Sequence, residues 1–261
     1  MTKVSVLYEP VLADARDTIS ATLGSELHGL YLYGSVATGQ ATAPTSDLDL
    51  SAIVTTERAL DQCRLLGEEL SARHRSTVRE VGISAGLLET LLAPNAEGRA
   101  ERCFLKHYCI NVAGIDLRPD LPRFRPDTTI AREFIGDLQG KIALFGDRLR
   151  DAESAADVSA VALLVGRRLL MAAAVLHSVI NGTWSTARIE GARLLDEHHP
   201  TYRRHTHRAL AWLNLSSQPI DAGPTVHPPG REEVKDVLDD LGGLLLRDVR
   251  HHLPPRESQF S

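Results

Sequence analysis

The stretch from Leu30 to Val54, LYLYGSVATGQATAPTSDLDLSAIV, decides how the rest of the chain is read. An apolar run ends abruptly at Gly34-Ser35, a loop of Gly, Ala, Thr and Pro follows, and a second apolar run opens with Asp47-Leu48-Asp49-Leu50. Side chains on a strand alternate between faces, so Asp47 and Asp49 project together while Leu48 and Leu50 point into a core. Two adjacent carboxylates repel each other, and a fold keeps such a pair when a cation neutralises it. Oxygen ligands of this kind suit Mg²⁺ or Mn²⁺, which retains waters and completes its shell with substrate phosphate oxygens. Asp47 and Asp49 are thus the candidate metal ligands and catalytic carboxylates. If the chain turns from strand into helix at Gly34-Ser35, backbone N–H groups and a positive helix end face the phosphates there. Gly34 lets the backbone come close, the Ser35 hydroxyl donates to a phosphate oxygen, and Ser46, just ahead of the pair, is a further candidate ligand.

Working outward, the pattern predicts a helix over Val11 to Leu23, a strand over Leu27 to Tyr33, and a strand over Asp47 to Val54. An amphipathic helix over Glu57 to Arg73 and a third strand over Thr77 to Ile83 follow. Ala100 to Gly114 reads as mostly helical and Ile115 to Arg118 as a short edge strand, before the proline-rich segment Pro119 to Pro126. Beyond it, helices are expected over Thr128 to Arg150, Asp157 to Asn181, Thr186 to His198, Thr201 to Leu213 and Glu232 to His251. The fold class expected is therefore an α/β (α+β) N-terminal domain with a small mixed sheet, residues 1–120, an all-α helical bundle, residues 127–252, and a frayed tail, 253–261.

The 261 residues, 43% hydrophobic, suffice for two modest cores. A net charge of −5 with both signs interspersed gives no broad basic surface, so nucleic acid is not the expected partner. Cys63, Cys103 and Cys109 are odd in number and lack C-x-x-C spacing, as reduced thiols would. The N-terminus lacks the pattern of a signal peptide. The longest apolar candidate, Val158 to Ile180, is interrupted by Arg167, Arg168 and His177, which reads as a buried bundle helix rather than a membrane span. Within that helix at least one arginine must find a carboxylate, a phosphate or a cleft. A cytoplasmic protein with no membrane partner is the expectation, and oligomeric state is not readable.

Tyr33 to Leu50, with an apolar residue, Gly-Ser, a loop and Asp-x-Asp between apolar residues, resembles the signature of the polymerase-β-like nucleotidyltransferase superfamily. The resemblance implies a third carboxylate on a later strand, for which Glu80 in Val78-Arg79-Glu80-Val81 is the candidate and Glu89 the fallback. Length and domain order are most similar to the aminoglycoside adenylyltransferases of the spectinomycin and streptomycin type. That likeness implies a glutamate base at Glu80 that deprotonates the acceptor hydroxyl. It also implies a nucleotide-contacting basic residue after the turn Asn181-Gly182-Thr183-Trp184, where Arg188 stands. The expected reaction is transfer of a nucleoside monophosphate, AMP from ATP, with Mg²⁺ and release of pyrophosphate. The acceptor expected is a small-molecule hydroxyl such as an aminoglycoside, bound between the domains and drawn by Glu190, Asp196 and Glu197, with antibiotic resistance as the biological consequence. The alternatives are a toxin-type enzyme that modifies a protein or tRNA, and a non-catalytic nucleotide-binding regulator.

Overall fold

A computed structural model describes residues 4–215 and 228–253; the expected tail lies, beyond Leu253, outside the described residues. The chain divides into two units, with the break between Phe124 and Arg125 inside the proline-rich segment.

In the first unit α1 (Glu9–Leu23) leads into β1 (Leu27–Tyr33), which runs directly into the short α2 (Gly34–Thr38). Then come β2 (Leu48–Val54), α3 (Glu57–His74), β3 (Val81–Leu87), α4 (Leu88–Leu92), α5 (Ala96–Tyr108) and β4 (Ile110–Gly114). The sheet order is β3-β2-β1-β4, with β1 antiparallel to β2 and to β4. β2 and β3 are parallel because α3 carries the chain back between them, the connection a parallel pair requires. Leu30, Leu32, Leu48 and Leu50 turn to one face and are buried against Ile19 of α1 and Leu70 of α3. The other face sends Tyr31 and Ile53 against Leu91 of α4 and Leu105 of α5.

Two elements depart from the sequence reading. The third strand is Val81–Leu87, not Thr77 to Ile83, because a turn at 75–77 ends α3 and Val78 packs into the core before the strand starts. The Ser71 hydroxyl at the end of α3 accepts the Val81 amide at 2.8 Å and marks the strand's first residue. Gly82 and Gly86 lie inside the strand and pair with Asp49 and Ile53. The edge strand is Ile110–Gly114 rather than Ile115 to Arg118, since α5 already ends at Tyr108.

The second unit is helical. α6 (Thr128–Ile135), α7 (Leu138–Asp151), α8 (Ala155–Asn181), α9 (Arg188–His198), α10 (Arg203–Leu215) and α11 (Arg231–His252) pack with α8 at the centre, touching each of the others. The single helix expected over Thr128 to Arg150 is broken at Gly136, whose φ of 52° leaves helical space. Asp137 restarts it by accepting the Gly140 amide at 2.7 Å. Arg168 of α8 donates to the Ile135 carbonyl and so satisfies the end of α6. A reciprocal cap between Ser154 and Asp157 starts α8, and Gly182, at φ 72°, ends it. By length and composition α8 could cross a membrane, yet 61% of its most apolar window is buried inside the protein.

The helices approach α8 closely through glycine. A Cβ at Gly166 would stand 2.6 Å from the Ala209 carbonyl oxygen of α10, and one at Gly191 of α9 would run into the Leu170 carbonyl. Further along α8, His177 is 2% exposed, stacks on His198 with ring centroids 4.6 Å apart, and has no hydrogen-bond partner at either ring nitrogen among the described residues. Burial, with His198 at the end of α9, His199 just beyond it and His252 of α11 nearby, lowers its pKa from 6.5 to about 4 against the opposing pull of Asp248.

Two outcomes follow. Gly→Ala in a helix normally stabilises by about 1 kcal/mol. Gly191→Ala should instead lower the urea midpoint, by about 1–3 kcal/mol of stability, through overpacking; a raised midpoint would contradict the close helix crossing. For His177 the folded pKa is depressed, so above pH 6.5 the residue contributes no pH dependence. As pH falls from 6.5 toward 4 the unfolded chain takes up a proton that the native ring refuses, and stability drops by on the order of 3 kcal/mol. His177→Leu should flatten the stability profile in that window, and parallel profiles for the two proteins would refute the assignment.

Candidate active site

The site grows out of one row of residues across the sheet. Tyr33, the last residue of β1, pairs with Asp49, and Asp49 pairs on its other side with Gly82. Because Leu48 and Leu50 fill the core under α1 and α3, Asp49 points to the opposite face. Immediately after Tyr33 the backbone enters the left-handed region at Gly34, with φ of 73°, and turns into α2. A Cβ at Gly34 would collide with Asp49 Oδ2 and come within 3.0 Å of its Cγ, so both conformation and space demand glycine there. A Cβ at Gly82 would stand 3.8 Å from Asp49 Oδ1. The Asp49 carboxylate therefore lies between two glycines, one at the strand–helix turn and one in the next strand.

Asp47 precedes β2 by one residue and alternates onto the same side as Asp49. Its carboxylate, 15% exposed, forms an ion pair with Arg79. The Arg79 amide donates to the Ser46 carbonyl at 3.1 Å and the Leu48 amide to the Glu80 carbonyl at 2.9 Å. These bonds carry the β2–β3 pairing back beyond the strand ends, so Glu80 runs beside Asp47 and is exposed. Glu89 opens α4 beyond the far end of β3, away from this row. The Tyr33 pKa is raised, first by burial and then by the charges of Asp49, Cys109 and Asp47, so both aspartates act on one phenol. The Tyr33 ring meets Phe104 edge-on at 5.1 Å.

Ser35 is half-buried in the first turn of α2, where backbone amides have no intrahelical acceptor. Its carbonyl accepts from Gln40 at 2.8 Å and from the Thr38 hydroxyl at 3.2 Å, which holds the short helix closed. The Ser46 hydroxyl accepts the Thr42 amide at 2.8 Å and so shapes the loop that delivers Asp47. Arg188 is the exposed first residue of α9 and belongs to the second unit. Among the described residues no three His, Cys, Asp or Glu side chains converge as a metal cage. The protein's offering is the pair Asp47 and Asp49, hard oxygen donors of the sort that hold Mg²⁺ jointly with substrate phosphates.

Sequence reasoning missed three contributors. Arg79 was passed over, although a lone cation directly before Glu80 was in view; its pairing with Asp47 depends on long-range register. Gly82, a glycine inside an apolar run, was given no role, although its register places it beside Asp49. Tyr33 was taken as the end of a strand and the apolar residue of the motif, not as a phenol beside the carboxylates.

No protein-family model matches the chain, and neither does any curated protein sequence. Among solved structures the chain is similar to a spectinomycin adenyltransferase, AAD(9), from Enterococcus faecialis, a crystal structure with ATP and spectinomycin. The TM-score is 0.61 at 14% identity, covering 90% of this chain and 98% of that one. At that identity the likeness shows the fold alone: a small mixed sheet followed by a helical region.

Proposed function

We propose that the chain is a metal-dependent nucleotidyltransferase that moves a nucleoside monophosphate, AMP from ATP, onto an acceptor hydroxyl and releases pyrophosphate. One observation carries this reading: the Asp49 carboxylate fits between Gly34 and Gly82, with Asp47 on the same side and already engaged with a cationic guanidinium. The place Arg79 takes at Asp47 is one suited to positive charge, so the donor set fits a divalent ion. Mg²⁺, or Mn²⁺, held there would neutralise the triphosphate and make the attacking oxygen more acidic.

The chain's own residues divide the remaining work. Gly34 admits the phosphates to the backbone, and Ser35 offers an amide and a hydroxyl to their oxygens. Glu80, exposed beside Asp47, takes the proton of the acceptor hydroxyl as its oxygen bonds to the α-phosphorus. The bond from the α-phosphorus to the bridging oxygen breaks, and pyrophosphate leaves with the electron pair. Tyr33, whose pKa is raised, stays protonated beside the carboxylates and adds no further negative charge.

The solved relative's ATP and small-molecule ligand support an NTP and a small hydroxyl acceptor here, and an aminoglycoside acceptor, with resistance and a cytoplasmic site of action, belongs to the same proposal. The acids expected to attract such a cation are engaged within their own unit. Glu190 and Glu197 both hold Arg193, at 2.8 Å each, and Asp196 meets His207 at 2.6 Å.

Incubation with α-labelled ATP, Mg²⁺ and in turn an aminoglycoside panel, cell lysate or total tRNA should label one acceptor class. Asp49→Asn should reduce labelling at least about a hundredfold without changing thermal stability. Equal labelling by this variant would remove the proposal. Gly34→Ala, which forces a methyl onto the Asp49 carboxylate, should lower turnover comparably while leaving the helical unit's circular dichroism intact, and full activity in that variant would show the contact to be dispensable.

A further inference from the structure

A groove of about 470 Å³ runs along the outer edge of the sheet unit, between α3 and β3. β3 is an edge strand, and a parallel ladder turns alternate residues toward the neighbouring strand. The Leu48 amide donates to the Glu80 carbonyl at 2.9 Å, so the peptide groups of Val81 and Ile83 are directed outward. The Val81 amide accordingly donates to the Ser71 hydroxyl of α3. A Cβ at Gly67 would stand 3.1 Å from the Val81 carbonyl oxygen and 3.9 Å from the Ile83 nitrogen. Cys63, Gly67 and Ile83 give the groove an apolar floor; Cys63 is fully buried and burial pushes its thiol up to about 11, so it stays neutral. Arg64 and Glu68 border the groove from α3, and Glu80 and Gly82 border it from the strand side.

The plain reading is a packing gap left because two facing elements carry glycine. Packing does account for Gly67, which has to be small against Val81. It does not account for the polar groups around the gap. Neighbouring acids hold arginines: Asp47 pairs with Arg79, Glu69 with Arg73 at 2.5 Å, and Glu68 with Arg64 at 2.8 Å. Glu80, exposed on the rim, has no ion pair among the described residues. The chemistry of the lining narrows what fits. An anion is disfavoured because the one lining cation is already compensated, and a polycation because a single acid is left over. Strand addition by a peptide is disfavoured because α3 closes the edge at Val81 through Gly67. A polyhydroxylated ring matches: its C–H face rests on the floor, and its hydroxyls both donate and accept, as a carbonyl, an amide and a carboxylate together require. The volume is that of a small-molecule site.

We propose that this groove seats one polyhydroxylated ring, free or as part of a larger molecule, and holds one of its hydroxyls at Glu80 as the acceptor. That hydroxyl oxygen forms the bond to the α-phosphorus, Glu80 keeps its proton, and pyrophosphate leaves with the electron pair. The acceptor's fate rests on the nucleotidyl-transfer reading above, whereas the binding itself needs neither nucleotide nor metal.

Amide NMR of the isotope-labelled full chain, in EDTA and without nucleotide, is recorded while myo-inositol, glucose and glucosamine are titrated in separately. At least one ring should shift the Gly67, Gly82 and Ile83 amides saturably. The double variant Arg64→Ala/Glu68→Ala removes an exposed pair whose loss costs little stability, and should weaken that binding at least about fivefold. Asp49→Asn should bind the ring as the wild type does. In the labelling assay with ATP and Mg²⁺, the double variant should raise the KM for the bound ring by about fivefold and leave the KM for ATP unchanged. No saturable shift at these amides with any ring tested would overturn the proposal, as would binding unchanged in the double variant with its fold confirmed by circular dichroism. A labelled acceptor whose KM ignores the double variant would overturn it equally. Wild-type protein that labels nothing would instead remove the nucleotidyl-transfer reading, with the amide shifts still deciding the groove.

Discussion

The contact on which the candidate site depends is the approach of the Asp49 carboxylate to the α-carbon of Gly34. It requires a strand that ends at Tyr33, a backbone that turns through positive φ at the next residue, and a neighbouring strand in register to bring Asp49 alongside. The apolar alternation of β2 supplies the register: with Leu48 and Leu50 committed to the core under α1 and α3, Asp49 has only the other face to occupy. A slip of one residue would exchange the two sets, burying carboxylates and exposing leucines. The cost of burying unpaired charge makes that alternative prohibitive. The same hydrophobic packing that stabilises the sheet thus presents its acidic residues.

The helical unit obeys a different constraint. Its centre is one helix, α8, approached so closely by α9 and α10 that glycines stand at the crossings, and its polar residues each need an arrangement of their own. Arg168 satisfies the carbonyl at the end of α6, while His177 is held neutral between α9 and α11.

Much of this was legible in the sequence, for identifiable reasons. β1 was read to its ends because an apolar run between Gly24 and Gly34 admits little else, and the start of α3 was legible because Thr56 caps it through the Ala59 amide. The division of the chain into a mixed α+β part and a helical part followed from the change in period beyond Pro126. β3 was misplaced because its first residue is set by a bond from the Val81 amide to the Ser71 hydroxyl of α3, and the early helix of the second unit was read as unbroken because Gly136 carries no side-chain signal. At the site, the alternation that aligns Asp47 with Asp49 was visible. The Arg79 ion pair and the placement of Gly82 beside Asp49 arise from contacts between distant segments, which no local pattern encodes.

The central claim is that Asp47 and Asp49 together hold a divalent cation in partnership with nucleotide phosphates. Electron paramagnetic resonance of Mn²⁺ titrated into the protein, with and without a non-hydrolysable ATP analogue, addresses it directly. Saturable binding that tightens with the analogue, and that disappears when both aspartates are replaced by asparagine, is the result the account predicts. Mn²⁺ binding that persists unchanged in that double variant, or that ignores the nucleotide, would contradict it.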